Sequence, residues 1–207
     1  MSRTFKITRD CYDEGDYLYK RDSITLKPGV TVLVGCNGSG KTTLLDQIGC
    51  RLKDADIEYL SYSNISDGRW EKDLALQSED FSWLAQAAFS SEGEEVSLNM
   101  RKVASKIGRY AKTHPDQSEL WILLDAMDSG LSIDNVVDYK DLFSLVIEDN
   151  ARKDVYIVIS CNEYELARRE NCFDVISGEY CKFRDYEDFR QFILDTRLYK
   201  DRRYSES

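Results

Sequence analysis

The chain has 207 residues, room for one sizeable α/β core at the usual size of roughly 150 residues per domain. Hydrophobic residues at 42% and charged residues at 32% describe a soluble folded chain rather than a disordered one. A net charge of −10, from 38 acidic against 28 basic residues, argues against a surface that coats nucleic acid, while leaving a local basic groove open.

In chain order, Thr4 to Thr8 alternates as a strand and Ser23 to Leu26 forms a second, with a turn over Asp13 to Asp16. The N-terminal part therefore reads as an antiparallel ribbon. Val30 to Val34 is an apolar, β-branched run after Pro28-Gly29, and a helix follows from Thr43 to about Lys53. Ile57 to Tyr62 suits a strand, Asp73 to Phe89 carries apolar residues at helical spacing, and a further helix spans about Val96 to Lys112. Leu120 to Leu124 and Val155 to Ile159 are continuous apolar runs of strand length, the mark of strands buried on both faces. Between them lies a helix over about Asp134 to Asn150. After them come a short helix at Glu163 to Glu170, a strand at Phe173 to Ile176 and a closing helix from Tyr186 to about Tyr204. Buried strands alternating with helices predict an α/β fold with a mostly parallel central sheet flanked by helices. Residues 1–207 are expected to form a single domain with a helical insert at about 71–115.

No run approaches the ~18 apolar residues of a bilayer span, and MSRTFKITRD lacks the apolar core of a signal peptide. The six cysteines (Cys11, Cys36, Cys50, Cys161, Cys172, Cys181) show no C-x-x-C spacing, which fits reduced thiols and a cytoplasmic location. The terminal cluster Arg197, Lys200, Arg202 and Arg203 reads first as a solvated helix end and second as a nucleic-acid contact.

Between the strand at 30–34 and its helix, Gly35-Cys36-Asn37-Gly38-Ser39-Gly40-Lys41-Thr42 fits G-x-x-x-x-G-K-[ST], the phosphate-cradling loop of the P-loop NTPases, in the strand–loop–helix context that loop needs. Its glycines let backbone N–H groups point inward, and the helix N-terminus adds partial positive charge. Lys41 is expected to reach the β- and γ-phosphates of ATP, and Thr42 to ligate Mg²⁺. Asp125 ends the buried run 120–124, where a strand's C-terminal end faces the ligand crevice. There its carboxylate would hold Mg²⁺ beside Thr42.

Asn37 to Leu45, which includes Thr43, resembles the phosphate loop of ABC-type ATPases, among them the chromosome-maintenance and double-strand-break-repair branches. Asp125-Ala126-Met127-Asp128-Ser129-Gly130-Leu131-Ser132 resembles that family's Walker B end and D-loop, commonly D-E-P-x-S-G-L-[DS]. Phe89 to Glu94 resembles the signature L-S-x-G-[QE] ahead of a helix starting near Glu95, with an ordinary helix N-cap as the other reading. Val158 to Asn162, followed by Glu163-Tyr164-Glu165-Leu166-Ala167, is similar to the switch strand, which usually ends in T-H before a helix with E-L-A. The resemblance implies that Ser91 and Gly93 complete a partner's site, and hence an ATP-dependent homodimer.

Two positions depart from that pattern. Ala126 stands where the family has its catalytic glutamate, and Asn162 where it has the γ-phosphate-sensing histidine. A positioned general base contributes about 10²–10⁴-fold, so slow hydrolysis is expected, with Asp128 and Asn162 as the remaining candidates beside Lys41 and Asp125. Asn162 can donate a hydrogen bond but cannot act as an acid. Tyr12, Tyr17 and Tyr19 are candidates to stack on adenine. The expected activity is Mg²⁺-dependent hydrolysis of ATP to ADP and phosphate. The alternative is a nucleotide-gated interaction module with little turnover, in a repair- or defence-type complex. A protein partner and direct nucleic-acid binding stay open.

Overall fold

The computed structural model describes residues 1–8, 18–63, 92–128 and 132–205, with side chains described outside 92–101 and 203–205. The expected helix at 73–89 and the turn at 13–16 lie outside the described residues.

Strands β1 (Arg3–Lys6) and β2 (Ser23–Leu26) pair antiparallel as the N-terminal ribbon. The other strands are β3 (Gly29–Val34), β4 (Tyr59–Ser63), β5 (Glu119–Asp125), β6 (Asp154–Ser160), β7 (Asn171–Asp174) and β8 (Glu179–Cys181). They form one sheet in the order β4-β5-β6-β3-β7-β8, parallel except for the β7–β8 pair. The helices are α1 (Lys41–Asp54), α2 (Glu92–Thr113), α3 (Ile133–Asp149), α4 (Tyr164–Ala167) and α5 (Tyr186–Ser205).

The continuous apolar runs follow from burial of the sheet on both faces. Side chains alternate across a strand, so Leu120, Ile122 and Leu124 enter one core while Trp121 and Leu123 enter the other. The first core holds Val103 and Ile107 of α2 with Val136, Tyr139 and Phe143 of α3. The second holds Leu44, Leu45, Ile48 and Leu52 of α1, one stripe at helical spacing, against Phe5, Ile24 and Leu26 of the ribbon. Each fully buried Leu or Ile contributes about 1.5–3 kcal/mol, which fixes α1, and with it the loop ahead of it, against the centre of the sheet.

Three local expectations shift. Helix α2 starts at Glu92 rather than near Glu95, so Gly93 falls in its first turn. Helix α4 stops at Ala167, where Arg168 turns extended and Arg169 takes φ +65°. Strand β7 ends at Asp174, and the chain turns back through Gly178, whose N–H donates to Asp174 O at 2.9 Å, to make β8. Among the described residues no helix is long and apolar enough to cross a membrane.

Candidate functional site

The sheet order decides where chemistry can occur. β3 and β5 are both parallel to the intervening β6, so the loop after Val34 and the residues after Leu124 leave the same edge of the sheet. Loops at the C-terminal ends of parallel strands are where ligands bind in open α/β sheets.

Residues 35–40 join β3 to α1, and Lys41 is the first residue of the helix. The Lys41 side chain is 9% exposed, and its Nζ donates to the carbonyls of Gly35 at 2.8 Å and Cys36 at 3.2 Å. Its own loop thus encircles the ammonium. Burial lowers its pKa, and the neighbouring Cys161, Cys36, Asp128 and Asp125 act in the opposite sense. A buried cation whose hydrogen bonds go to neutral carbonyls gains from an anion brought beside it.

The loop needs glycine at position 40. Its φ is +96°, and a Cβ there would lie 2.6 Å from the Tyr19 hydroxyl. That hydroxyl donates to Gly40 O at 2.6 Å, and the Tyr19 ring is 1% exposed. Tyr19 therefore lies buried beneath the loop, with no open face to stack on a base; Tyr12 and Tyr17 lie outside the described residues.

At the start of α1, the N-cap Gly40 supplies no side-chain cap to the first-turn amides of Lys41, Thr42 and Thr43. Ser39 Oγ is buried and has no hydrogen-bond partner among the described residues. Open amides at a helix start, a buried hydroxyl without a partner and an encircled ammonium converge on one loop, and each suits a phosphate group. Asn37 and Gly38 are exposed at its crest.

The metal-ligand candidates meet as well. Thr42 Oγ1 donates to Asp125, 3.0 Å from Oδ1 and 3.2 Å from Oδ2. Ser160, at the end of β6, donates its hydroxyl to Asp125 Oδ1 and accepts the Ala126 N–H at 2.9 Å. Ala126 itself sits at φ +52°, in the left-handed region. A cavity of about 850 Å³ opens beside this pair, lined by Thr42, Asp46, Tyr59, Ser61 and Asp125 among others. Burial, with the Asp125 charge second, raises the pKa of Asp46 there. Among the described residues no group of three or more His, Cys, Asp or Glu could hold a metal. One carboxylate and one hydroxyl nevertheless fit Mg²⁺, which takes few protein ligands and completes its shell with water and substrate phosphates.

Asp128 is 9% exposed, and its Oδ2 accepts the backbone N–H groups of Asn162 and, at 2.9 Å, Glu163. It ties the segment after β5 to the start of α4. The Asn162 side chain is exposed at the same edge of the sheet. Ser91 lies outside the described residues.

The sequence did not reveal the roles of Ser160, which lies in the switch-strand match and orients Asp125, or of two residues of α5. Thr196 Oγ1 accepts the Cys36 N–H at 3.2 Å, and Lys200 Nζ donates to Asn37 O at 2.8 Å. No local pattern marks these roles, because each side chain acts on a partner far from it in sequence.

No protein-family model matches this sequence, and no curated protein matches it.

Proposed function

We propose that the chain is a P-loop ATPase of ABC type, which binds ATP with Mg²⁺ through residues 35–43 and hydrolyses it slowly. The observation that carries this reading is the contact of Thr42 with Asp125 beside the encircled Lys41. It supports the reading because a triphosphate and its metal need those three groups side by side.

In this reading the amides of Gly38 and of Gly40 to Thr43, with the Lys41 ammonium, hold the phosphate tail, while the Ser39 N–H closes the loop on Cys36 O at 3.1 Å. Thr42 and Asp125 hold Mg²⁺, whose charge offsets that of the β- and γ-phosphate oxygens. Ser160 keeps the Asp125 carboxylate turned toward Thr42. The Asn162 amide offers a donor for the γ-phosphate.

A specific observation favours a second reading, a nucleotide-gated module with little turnover. Ala126 brings no carboxylate, and Asp128 already spends one oxygen on two backbone amides. Either way, ATP-driven pairing of two copies through Ser91 and Gly93 is part of the proposal and rests on the ABC resemblance alone.

Steady-state phosphate release separates the two. The ATPase reading expects turnover that needs Mg²⁺ and falls at least about tenfold in Asp125→Asn. No release above buffer from the unaltered protein, with release appearing in Ala126→Glu, decides for the gated module.

A further inference from the structure

We propose that Lys200, on the C-terminal helix, is a positioning residue of the phosphate loop that turns the Gly38 N–H toward the bound anion. This rests on the nucleotide reading of residues 35–43 and extends that site to α5.

Helix α5 is anchored at both ends of its described length. Phe189, with the partly buried Phe192 and Ile193, packs into the core that α2 and α3 line, and Tyr199 packs against the core under α1. Lys20 Nζ lies 4.8 Å from the centre of the Tyr199 ring, a cation–π contact that ties α5 to the chain ahead of β2. Thr196 and Lys200, four residues apart and so on one helix face, are thereby set against the loop at Cys36 and Asn37. Lys200 also borders the crest, since a Cβ on Gly38 would lie 3.5 Å from its Nζ.

The consequence follows from peptide geometry. The Asn37–Gly38 bond is trans, so its C=O and N–H point in opposite directions. A cation fixed on Asn37 O therefore directs the Gly38 N–H away from α5 and polarises it as a donor. Tyr19 acts in the same way three peptide bonds further on: its hydroxyl on Gly40 O leaves the Lys41 N–H facing the other side. The loop is thus braced from outside at two carbonyls, and Thr196 fixes the Cys36 amide between β3 and the crest. Lys200 also adds a second positive charge to a loop that carries Lys41, in a protein of net charge −10. Preorganised amides cost no reorganisation when the anion arrives.

The test is calorimetric titration with Mg²⁺–ATP of the unaltered protein, Lys200→Met and Lys200→Arg, with thermal melts alongside. Lys200→Met keeps the stem and loses charge and donor, so affinity should fall about tenfold. Lys200→Arg should stay within about threefold of the unaltered protein, because it can still donate to Asn37 O. A fold-only role would lower the melting temperature of both variants and leave the affinity of the folded protein unchanged. Unchanged affinity in Lys200→Met, with the unaltered protein binding, overturns the role of Lys200 alone. No binding by the unaltered protein overturns the nucleotide reading, and the role of Lys200 with it.

Discussion

Thr42 and Asp125, 83 residues apart, share a hydroxyl proton at 3.0 Å across the edge of the sheet. In the proposed site the pair offers one hydroxyl and one carboxylate to Mg²⁺, which completes its shell with water and substrate phosphates. Asp125→Asn keeps the shape and removes the charge. It should raise the Mg²⁺ concentration needed for half-maximal nucleotide binding by about tenfold or more. Thr42→Val should do the same more weakly. Titrating Mg²⁺ at fixed nucleotide checks both, and a half-saturation point unmoved in Asp125→Asn contradicts the assignment.

Lys41 gives two opposed pH trends. Its folded pKa lies below the ordinary 10.5 because of burial. Between the folded value and 10.5 the unfolded chain holds a proton that the folded chain has lost, so stability rises with pH across that window. Affinity for a polyanion moves the other way, falling as pH climbs through the lowered value. Urea melts and ATP titrations at rising alkaline pH, each referenced to Lys41→Met, should show both slopes. Parallel curves for the two proteins contradict a titrating Lys41.

Gly40→Ala should destabilise the protein by about 1–3 kcal/mol, combining left-handed strain with displacement of the Tyr19 hydroxyl. Tyr19→Phe keeps the ring, loses the hydroxyl's bond to Gly40 O and should cost about 1 kcal/mol. Urea denaturation ranks the two, and an Ala at position 40 no worse than the Phe at 19 contradicts the close approach.

Asp128→Ala leaves the Asn162 and Glu163 amides without their carboxylate and should cost about 1–3 kcal/mol. Asp128→Asn keeps an acceptor oxygen and should cost less. If Asp128→Ala melts like the unaltered protein while losing activity, Asp128 serves the reaction and not the join between β5 and α4.

How much of this was legible depended on how local the cause is. β5 and β6 could be read from Leu120 to Leu124 and Val155 to Ile159, because burial on both faces forces an unbroken apolar run. The loop at 35–42 stood out because its glycines, Lys41 and Thr42 are set by spacing within eight residues, and the structure places that loop between β3 and α1. β8 was not legible: three residues paired to β7 carry too little pattern. The early start of α2 was hidden because Glu92-Gly93-Glu94 suits both a helix start and a signature loop. Lys200 looked like a solvated helix end, since nothing near it in sequence reveals that it meets Asn37, 163 residues away. Ser160 was hidden in the same way, as its partner Asp125 lies on another strand.

The most direct measurement is equilibrium titration of the unaltered protein and Lys41→Met with ATP, with Mg²⁺ and with EDTA. Saturable binding that strengthens with Mg²⁺ and weakens at least about a hundredfold in Lys41→Met, roughly 2.7 kcal/mol, is the expected result. Equal binding by the two proteins, or none by the unaltered one, would mean that the loop at 35–42 does not hold a triphosphate.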